Sequence, residues 1–181
     1  MPYPSKTSPG AILSAALSLL ETQGPQGLTM RSLAAALGLR ASSLYRYYPD
    51  REALEAALAD EGSRLLGAAL REASEGQPAA EALRRASHAY LTFARARPDL
   101  YSLMHAPRPP ALAGPGPAKD VRNLVLDLVG GLSGRPDDTA AAVAFWAFLH
   151  GFAQLERGGQ FGLSGPQKGF ERGLEALIQG L

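Results

Sequence analysis

Apolar residues recur at intervals of three and four along most of this chain, the spacing that places them on one face of an α-helix. The first such stripe follows Ser8 and Pro9, a pair typical of a helix start, and Gly24 is expected to end that helix. No segment shows the clear alternation of apolar and polar residues that a half-buried strand would have. The pattern therefore predicts an all-α protein of about nine helices.

Capping residues and helix breakers set the bounds of the later helices. Asp50 is expected to cap a long helix that reaches about Ser74, and either Asp137 or Asp138 is expected to cap the most apolar helix of the chain. The apolar stripe expected in the long helix consists of Leu54, Leu58, Leu65, Ala69 and Leu70. The proline-rich segment from Pro107 to Pro117 is predicted to be a loop. The remaining predicted helices cover residues 78–97, 99–106, 121 to a glycine at 130, 131 or 134, 139–157 and 166–180.

The segment 29–54, with the sequence TMRSLAAALGLRASSLYRYYPDREAL, contains two short amphipathic stretches that meet at Gly38. Leu33 belongs to the first stretch and Leu44 to the second, which gives the apolar pattern of a helix-turn-helix. Ala34 is small, as is needed where two helices cross closely. Gly38 can adopt the left-handed conformation that ends a helix in a short turn. We therefore predict a helix-turn-helix in this segment.

The same segment carries basic and hydrogen-bonding side chains that suit a DNA surface. Thr29 is expected to cap the first helix of the pair and to leave backbone N–H groups facing a phosphate. An arginine at the start of the second helix can make a bidentate contact to guanine. The residues expected at base edges are Arg40, Ala41, Ser42 and Arg46, and those expected mainly at phosphates are Thr29, Arg31, Tyr45, Tyr47 and Arg51.

These residues resemble the amino-terminal domain of the TetR family of bacterial one-component regulators. In that family a Thr opens the second helix, a Gly marks the turn, and a Leu-Tyr pair, an aromatic residue and a basic residue close the motif. Arg51 departs from the Lys that is more frequent in the family but keeps the charge. The resemblance implies a helix-turn-helix DNA-binding domain over residues 1–50 and a helical ligand-binding and dimerisation domain over residues 51–181. The counterparts here are Thr29, Gly38, Leu44 with Tyr45, Tyr47 or Tyr48, and Arg51.

Net charge, cysteine content and the length of apolar runs exclude several classes of protein and site. A formal net charge of +1 is too small for a protein that coats nucleic acid, so DNA affinity would have to come from the local placement of arginines and from dimerisation. The absence of cysteine excludes a thiol redox sensor and thiolate zinc sites. Residues 1–10, MPYPSKTSPG, lack the apolar core of a signal peptide, and the longest apolar run, 140–149, is too short to span a membrane. We expect a soluble cytoplasmic protein.

The helix predicted at 139–157 points apolar side chains in nearly every direction, so it is expected to be covered on more than one side. Trp146, His150 and Gly151 resemble the W-H-G signature of one branch of TetR carboxy-terminal domains, over a region from about Glu81 to Leu181. The resemblance implies a cavity for a small, mainly apolar effector. The residues expected to line it are His88, Tyr90, Phe93, Tyr101, Met104, His105, Phe145, Trp146, Leu149 and His150. The alternative for each is ordinary core packing.

The last two helices also resemble the family's dimer interface, in which two helices from each subunit form a four-helix bundle. The resemblance implies a homodimer. The residues expected in this interface are Phe148, Phe152, Phe170, Leu174, Leu177 and Ile178.

No catalytic or metal-binding arrangement competes with this reading. The three histidines are widely separated in sequence and none forms an H-x-x-x-H pair, so neither a metal nor a cofactor is predicted. We therefore predict a DNA-binding regulator, a repressor that a small effector releases from a palindromic operator, and not an enzyme. The competing hypotheses are a helical ligand-binding or dimerisation module without DNA binding and, third, an enzyme.

Overall fold

The computed structural model describes residues 8–108, 116–162 and 166–181 of the chain. It is all-α over these residues, as predicted, and none of the described helices is long and apolar enough to cross a membrane. The nine helices of the described ranges are α1 Pro9–Gly27, α2 Met30–Ala36, α3 Ala41–Leu44, α4 Arg51–Ser74, α5 Ala79–Ala96, α6 Pro98–Met104, α7 Pro117–Ser133, α8 Thr139–Arg157 and α9 Pro166–Gln179.

Several helices begin and end at the residues that the sequence indicated. Ser8 and Asp50 each accept a hydrogen bond from the backbone N–H three residues later, at 3.2 and 2.7 Å. Of the two candidates at α8, Asp138 is the cap, and its Oδ1 accepts from the backbone N–H three residues later at 3.1 Å. Gly24 interrupts α1 with a φ of 69°, so the regular part of the helix ends there. Local capping chemistry thus sets these bounds.

Other bounds differ by a few residues. Helix α6 ends at Met104, two residues before the predicted end, and α7 begins at Pro117, four residues before the predicted start. Pro117 lies in the first turn of α7, where its missing N–H costs no helical hydrogen bond. In α4 the stripe was expected to include Leu65, but Leu66 is the buried residue, with 1% of its surface exposed. Residues 109–115 of the predicted loop lie outside the described residues.

The chain divides into two compact units, the first comprising the described residues of 1–62 and 99–114. In this unit α2 contacts both α1 and α3. Helix α6 lies close to α4, because a Cβ atom added at Gly62 would come within 2.7 Å of the Met104 sulfur. Arg108 Nη1 also donates to Asp60 Oδ1 at 2.9 Å. The core of this unit consists of Ile12, Ala16, Leu19, Leu20, Leu28, Met30, Leu33, Ala34, Leu44, Leu54, Leu58, Ala59, Leu100 and Tyr101.

The turn between α2 and α3 is fixed by hydrogen bonds at both ends of α2. At the start, Thr29 Oγ1 accepts from the Ser32 N–H and Ser32 Oγ accepts from the Thr29 N–H, both at 3.0 Å. At the end, the Gly38 N–H donates to Ala35 O at 3.1 Å and the N–H of the next residue donates to Ala34 O at 2.8 Å. This pair is a Schellman motif, and it requires the φ of 63° found at Gly38.

The second unit comprises the described residues of 63–98 and 115–181. Helix α5 is central, because it contacts α7, α8 and α9, and α8 contacts both α7 and α9. Two bidentate ion pairs add to this packing. Arg84 donates through Nε and Nη2 to Glu175 on α9 at 2.5 and 3.0 Å, and Arg95 donates to Glu156 on α8 at 2.7 and 2.6 Å. The hydrogen bond from Arg84 lowers the pKa of Glu175.

We expect substitution of Gly38 by Ala to destabilise the protein by about 1–2 kcal/mol, because L-residues pay this cost in the left-handed conformation. Space is not the obstacle, since nothing lies within 4 Å of an added Cβ. The matched control is Gly131→Ala in α7, where an added Cβ also meets nothing and the helical backbone favours Ala by up to about 1 kcal/mol. Thermal denaturation should show opposite signs for the two variants. Equal effects would contradict the role given to Gly38.

Candidate DNA interface and ligand site

Most of the predicted DNA-contacting residues in and around α2 and α3 are exposed to solvent. The α3 helix is held from below by Leu44, which is fully buried, and its preceding residue Arg40 has the extended backbone of a helix cap. Two of the nine predicted residues, Ala41 and Tyr47, are half-buried. The exposed members are Thr29, Arg31, Arg40, Ser42, Tyr45, Arg46 and Arg51, and Tyr45 exposes 51% of its surface.

The guanidinium groups of Arg31, Arg40 and Arg46 are available for an external anion. No hydrogen bond or ion pair within the described part of the chain engages them. Asp50, the one carboxylate between Thr29 and Arg51, uses Oδ1 to cap α4. The surface around α3 therefore carries local positive charge on a chain whose net charge is only +1.

Arg51 has a structural role that the sequence did not reveal. Its Nε donates to Glu55 Oε1 at 2.6 Å, and its Nη2 donates to the Pro25 carbonyl oxygen at 3.1 Å. The side chain therefore ties the first turn of α4 to the last turn of α1, after the break at Gly24. A single ammonium group could not reproduce the guanidinium fork that spans these two acceptors.

In the second unit, the predicted ligand residues of α5 and α8 lie together. The rings of Tyr90 and Trp146 meet edge to face with 5.7 Å between their centroids. Tyr90 is fully buried, whereas Trp146 is partly exposed. Phe93, Phe145 and Leu149 are buried core residues with 7%, 2% and 3% of their surfaces exposed.

The predicted ligand residues Tyr101 and Met104 of α6 and His105, which follows it, form a separate group that belongs to the first unit. The rings of Tyr101 and His105 have centroids 4.4 Å apart, and His105 Nδ1 lies 2.8 Å from the Tyr101 carbonyl oxygen. Met104 lies against Gly62, as described above. That these residues and those of α5 and α8 share one effector cavity stays a prediction.

His88 lies on the side of α5 that meets α9. Its ring is 5.6 Å from that of Phe170, and its Nε2 is 3.5 Å from Glu171 Oε2. His150, by contrast, is partly buried on α8, and desolvation lowers its pKa. Among the described residues no group of three or more His, Asp or Glu side chains is arranged to hold a metal ion.

A surface cleft between α7 and α8, here called the α7–α8 cleft, has a volume of about 290 Å³. Sequence reasoning found only one of its residues, Trp146. The sequence did contain a signal for the residues of α7, because Arg122 lies one helical turn before apolar Val125 and Leu126. These residues form a cleft only because α8 packs against α7, which the sequence does not show. The lining residues are Arg122, Asn123, Val125, Leu126, Thr139, Ala142, Val143 and Trp146.

Four of the six predicted dimer residues are buried within the single chain. Phe170, Leu174 and Ile178 on α9 are 1%, 0% and 7% exposed, because α9 packs them against α5 and α8. Phe152 is 8% exposed and meets Phe170 edge to face at 5.0 Å. Phe148 and Leu177 are partly exposed. The α9 stripe thus builds the core of the protomer.

Small residues occupy the solvent-facing stripes of the same two helices. Leu155, which is 48% exposed, extends the α8 stripe with an apolar side chain. The exposed members are Ala140, Ala144 and Ala147 on α8, Gly169 and Ala176 on α9, and Gly180 just after α9. Gly151 and Gly173 on the same stripes are half-buried, and a Cβ atom added at Gly173 would come within 2.5 Å of the Phe148 ring.

Comparison with protein families gives a match to each half of the chain. Residues 12–58 match the model for bacterial regulatory proteins of the tetR family. Residues 83–178 match the model for the tetracyclin repressor-like C-terminal domain. The second match includes Trp146, His150 and Gly151.

Individual proteins agree with these matches. The chain is 31% identical over 162 residues to an uncharacterized HTH-type transcriptional regulator of Mycobacterium tuberculosis, covering 86% of this chain and 73% of the relative. A Rhodococcus protein of unknown function has a similar structure, with a TM-score of 0.81, 27% identity and coverage of 100% of this chain and 98% of the other. A TetR variant from Acinetobacter baumannii in complex with minocycline has a TM-score of 0.64, 23% identity and 96% coverage of both chains. At that identity the last likeness shows the fold alone.

The lowered pKa of His150 predicts a specific pH dependence of stability. Above the unfolded-state pKa of about 6.5 the imidazole is neutral in both states and contributes nothing. Below it, the unfolded state binds a proton that the folded state binds less readily, so the free energy of unfolding falls as the pH drops from about 7 to 5. We expect His150→Gln to reduce this fall in denaturant titrations. Around pH 8 the free energy of unfolding should not change with pH through this residue in either protein. If the fall in unfolding free energy between pH 7 and 5 is as steep in the variant as in the wild type, the prediction is wrong.

Proposed function

The chain belongs to the TetR family of bacterial transcriptional regulators, with an amino-terminal DNA-binding domain and a carboxy-terminal ligand-binding domain, and from this premise we propose that it is a repressor. It binds a palindromic operator as a homodimer in the cytoplasm, and a small, mainly apolar effector releases it. The observation that carries the proposal is the cluster of exposed guanidinium groups at Arg31, Arg40 and Arg46 around a short helix anchored by buried Leu44.

The proposed DNA-binding domain covers residues 1–50 and the ligand-binding and dimerisation domain covers 51–181. Helix α3 enters the major groove, where Arg40 and Arg46 contact base edges and Ser42 supplies a smaller polar contact. Arg31 and Tyr45 contact phosphates. Arg51 contributes through position as well as charge, because its hydrogen bond to the Pro25 carbonyl oxygen holds the start of α4 against the end of α1.

The proposed dimer forms through the exposed stripes of α8 and α9. Small side chains allow the axes of packed helices to approach closely. Exposed Leu155 on α8 offers apolar surface that a partner would remove from water. Phe148 and Leu177 border this surface, whereas Phe170, Leu174 and Ile178 support it from inside the protomer. The two DNA-binding domains of such a dimer, related by a two-fold axis, would bind two half-sites on one face of the duplex.

In the proposed effector response, Tyr90 and Trp146 contact the ligand, and α4 transmits the resulting conformational change to the DNA-binding domains. An effector that binds only one conformation of the ligand-binding domain shifts the population toward that conformation. The operator is released only to the extent of the effector's difference in affinity between the two conformations. No catalytic step forms part of this proposal.

Alanine substitutions should separate base readout from phosphate contact. We expect Arg46→Ala or Arg40→Ala to lose about 1–3 kcal/mol of discrimination between operator and scrambled DNA. Arg31→Ala should weaken binding to both DNAs and reduce the magnitude of the salt slope by about 1. Gel shifts over a salt series, with the promoter region beside its own gene, measure both quantities.

Arg85→Ala is the control for this series, because Arg85 is an exposed arginine on α5 that pairs with Glu81 and lies outside the DNA-binding segment. It should leave both affinities unchanged. If all three DNA variants lose affinity equally on both DNAs, the assignment of base contacts is wrong. If the wild type shifts no DNA, the module without DNA binding replaces the proposed function.

A charged residue on the exposed face of α8 should prevent dimerisation. We expect Ala144→Glu or Ala147→Glu to sediment as monomers, because an interface would bury the carboxylate without a partner. Ala68→Glu, at an exposed alanine of α4, is the matched control and should leave the oligomeric state unchanged. Dimers that persist in both α8 variants would place the interface elsewhere.

A further inference from the structure

The α7–α8 cleft combines an apolar floor with a polar rim. Val125 and Ala142 are buried at 5% and 8% exposure, and Trp146 is partly exposed, so apolar surface remains accessible at the base of the cleft. Its volume of about 290 Å³ is close to the lower end of ligand cavities, about 300–1,000 Å³. That size suits a short alkyl chain or a single ring rather than an extended polycyclic compound.

The rim of the cleft is positively charged. Arg122 is exposed on α7, and no ion pair within the described ranges engages its guanidinium group. None of the eight lining residues carries a carboxylate. Asn123 adds a neutral amide donor, whereas the Thr139 hydroxyl donates to the Asp137 carbonyl oxygen at 3.3 Å. The cleft therefore offers one uncompensated cation beside apolar surface.

We propose that the α7–α8 cleft binds a small monocarboxylate with an apolar body, such as a medium-chain fatty acid or an arylalkanoic acid. The carboxylate pairs with Arg122, whose planar guanidinium can donate two parallel hydrogen bonds. The apolar body covers Val125, Ala142 and Trp146. This inference rests on the proposed function only where it makes the bound acid the effector.

Trp146 gives the cleft a connection to the core of its unit. One side of the indole lines the cleft, and its ring meets Tyr90 of α5 at 5.7 Å. A ligand that presses on or withdraws the indole therefore acts on a fully buried tyrosine in the central helix. Interiors are close-packed, so such a displacement is transmitted to neighbours rather than absorbed.

The test uses the intrinsic fluorescence of Trp146, the one tryptophan of the chain. The full-length protein is titrated with octanoate, decanoate and phenylacetate, and with octanamide as the neutral counterpart of octanoate. We expect saturable spectral changes with the acids and weaker binding of the amide. Arg122→Gln should lose about tenfold or more in octanoate affinity and should bind octanamide as the wild type does.

Arg85→Gln is the matched control, because it removes an exposed arginine of α5 and should leave octanoate affinity unchanged. Ala142→Leu fills the floor of the cleft and should weaken both octanoate and octanamide in calorimetric titrations. Equal affinities for octanoate and octanamide, unchanged octanoate binding in Arg122→Gln, or no saturable binding of any acid up to millimolar concentration would each overturn the proposal. Arg122→Gln monomers in sedimentation would assign the cleft to a second copy of the chain instead.

The titration needs no DNA, and the gel shift of the ligand-free protein needs no acid, so the two proposals fail separately. Acid binding without a gel shift would leave the cleft intact and reject the operator function. A gel shift with wild-type protein that no acid reverses, together with acid binding to the cleft, would reject the effector role alone.

Discussion

The surface that we propose contacts DNA depends on one backbone constraint, the left-handed turn at Gly38. Because this residue takes a φ of 63°, two hydrogen bonds close the end of α2 and the chain turns at once into α3. Buried Leu33 and Leu44 then hold the two helices together, and this packing leaves Arg40 and Arg46 on the outside. The orientation of the two arginines therefore depends on a turn made at a glycine, a residue without a side chain.

The sequence predicts best what short-range chemistry decides. Caps such as Ser8 and Asp50 bind backbone three residues away, so their effect is written within a few positions of the chain. The apolar spacing wrongly placed Leu65 rather than Leu66 in the buried stripe of α4, because that choice depends on which helices lie beside α4.

Contacts between distant residues lay beyond such reasoning. Arg95 meets Glu156 across 61 positions, and Arg84 meets Glu175 across 91, so neither pair leaves a local signal. The same limit explains the predicted dimer stripe on α9. Phe170 and neighbouring apolar residues were identified correctly as one face, but only the fold determines whether that face meets another subunit or the rest of its own chain.

The two hydrogen bonds of Arg51 bear on how such a regulator can be recombined. Arg51 and Glu55 follow residue 50, yet one of the bonds reaches back to the Pro25 carbonyl oxygen, and α6 packs within the same compact unit. A chimera joined at residue 50 that brought another protein's α4 would cut this link and replace its partners. To transfer the DNA-sequence specificity to another regulator, the exposed side chains of α3 should therefore be grafted into that protein, rather than the whole segment 1–50 exchanged.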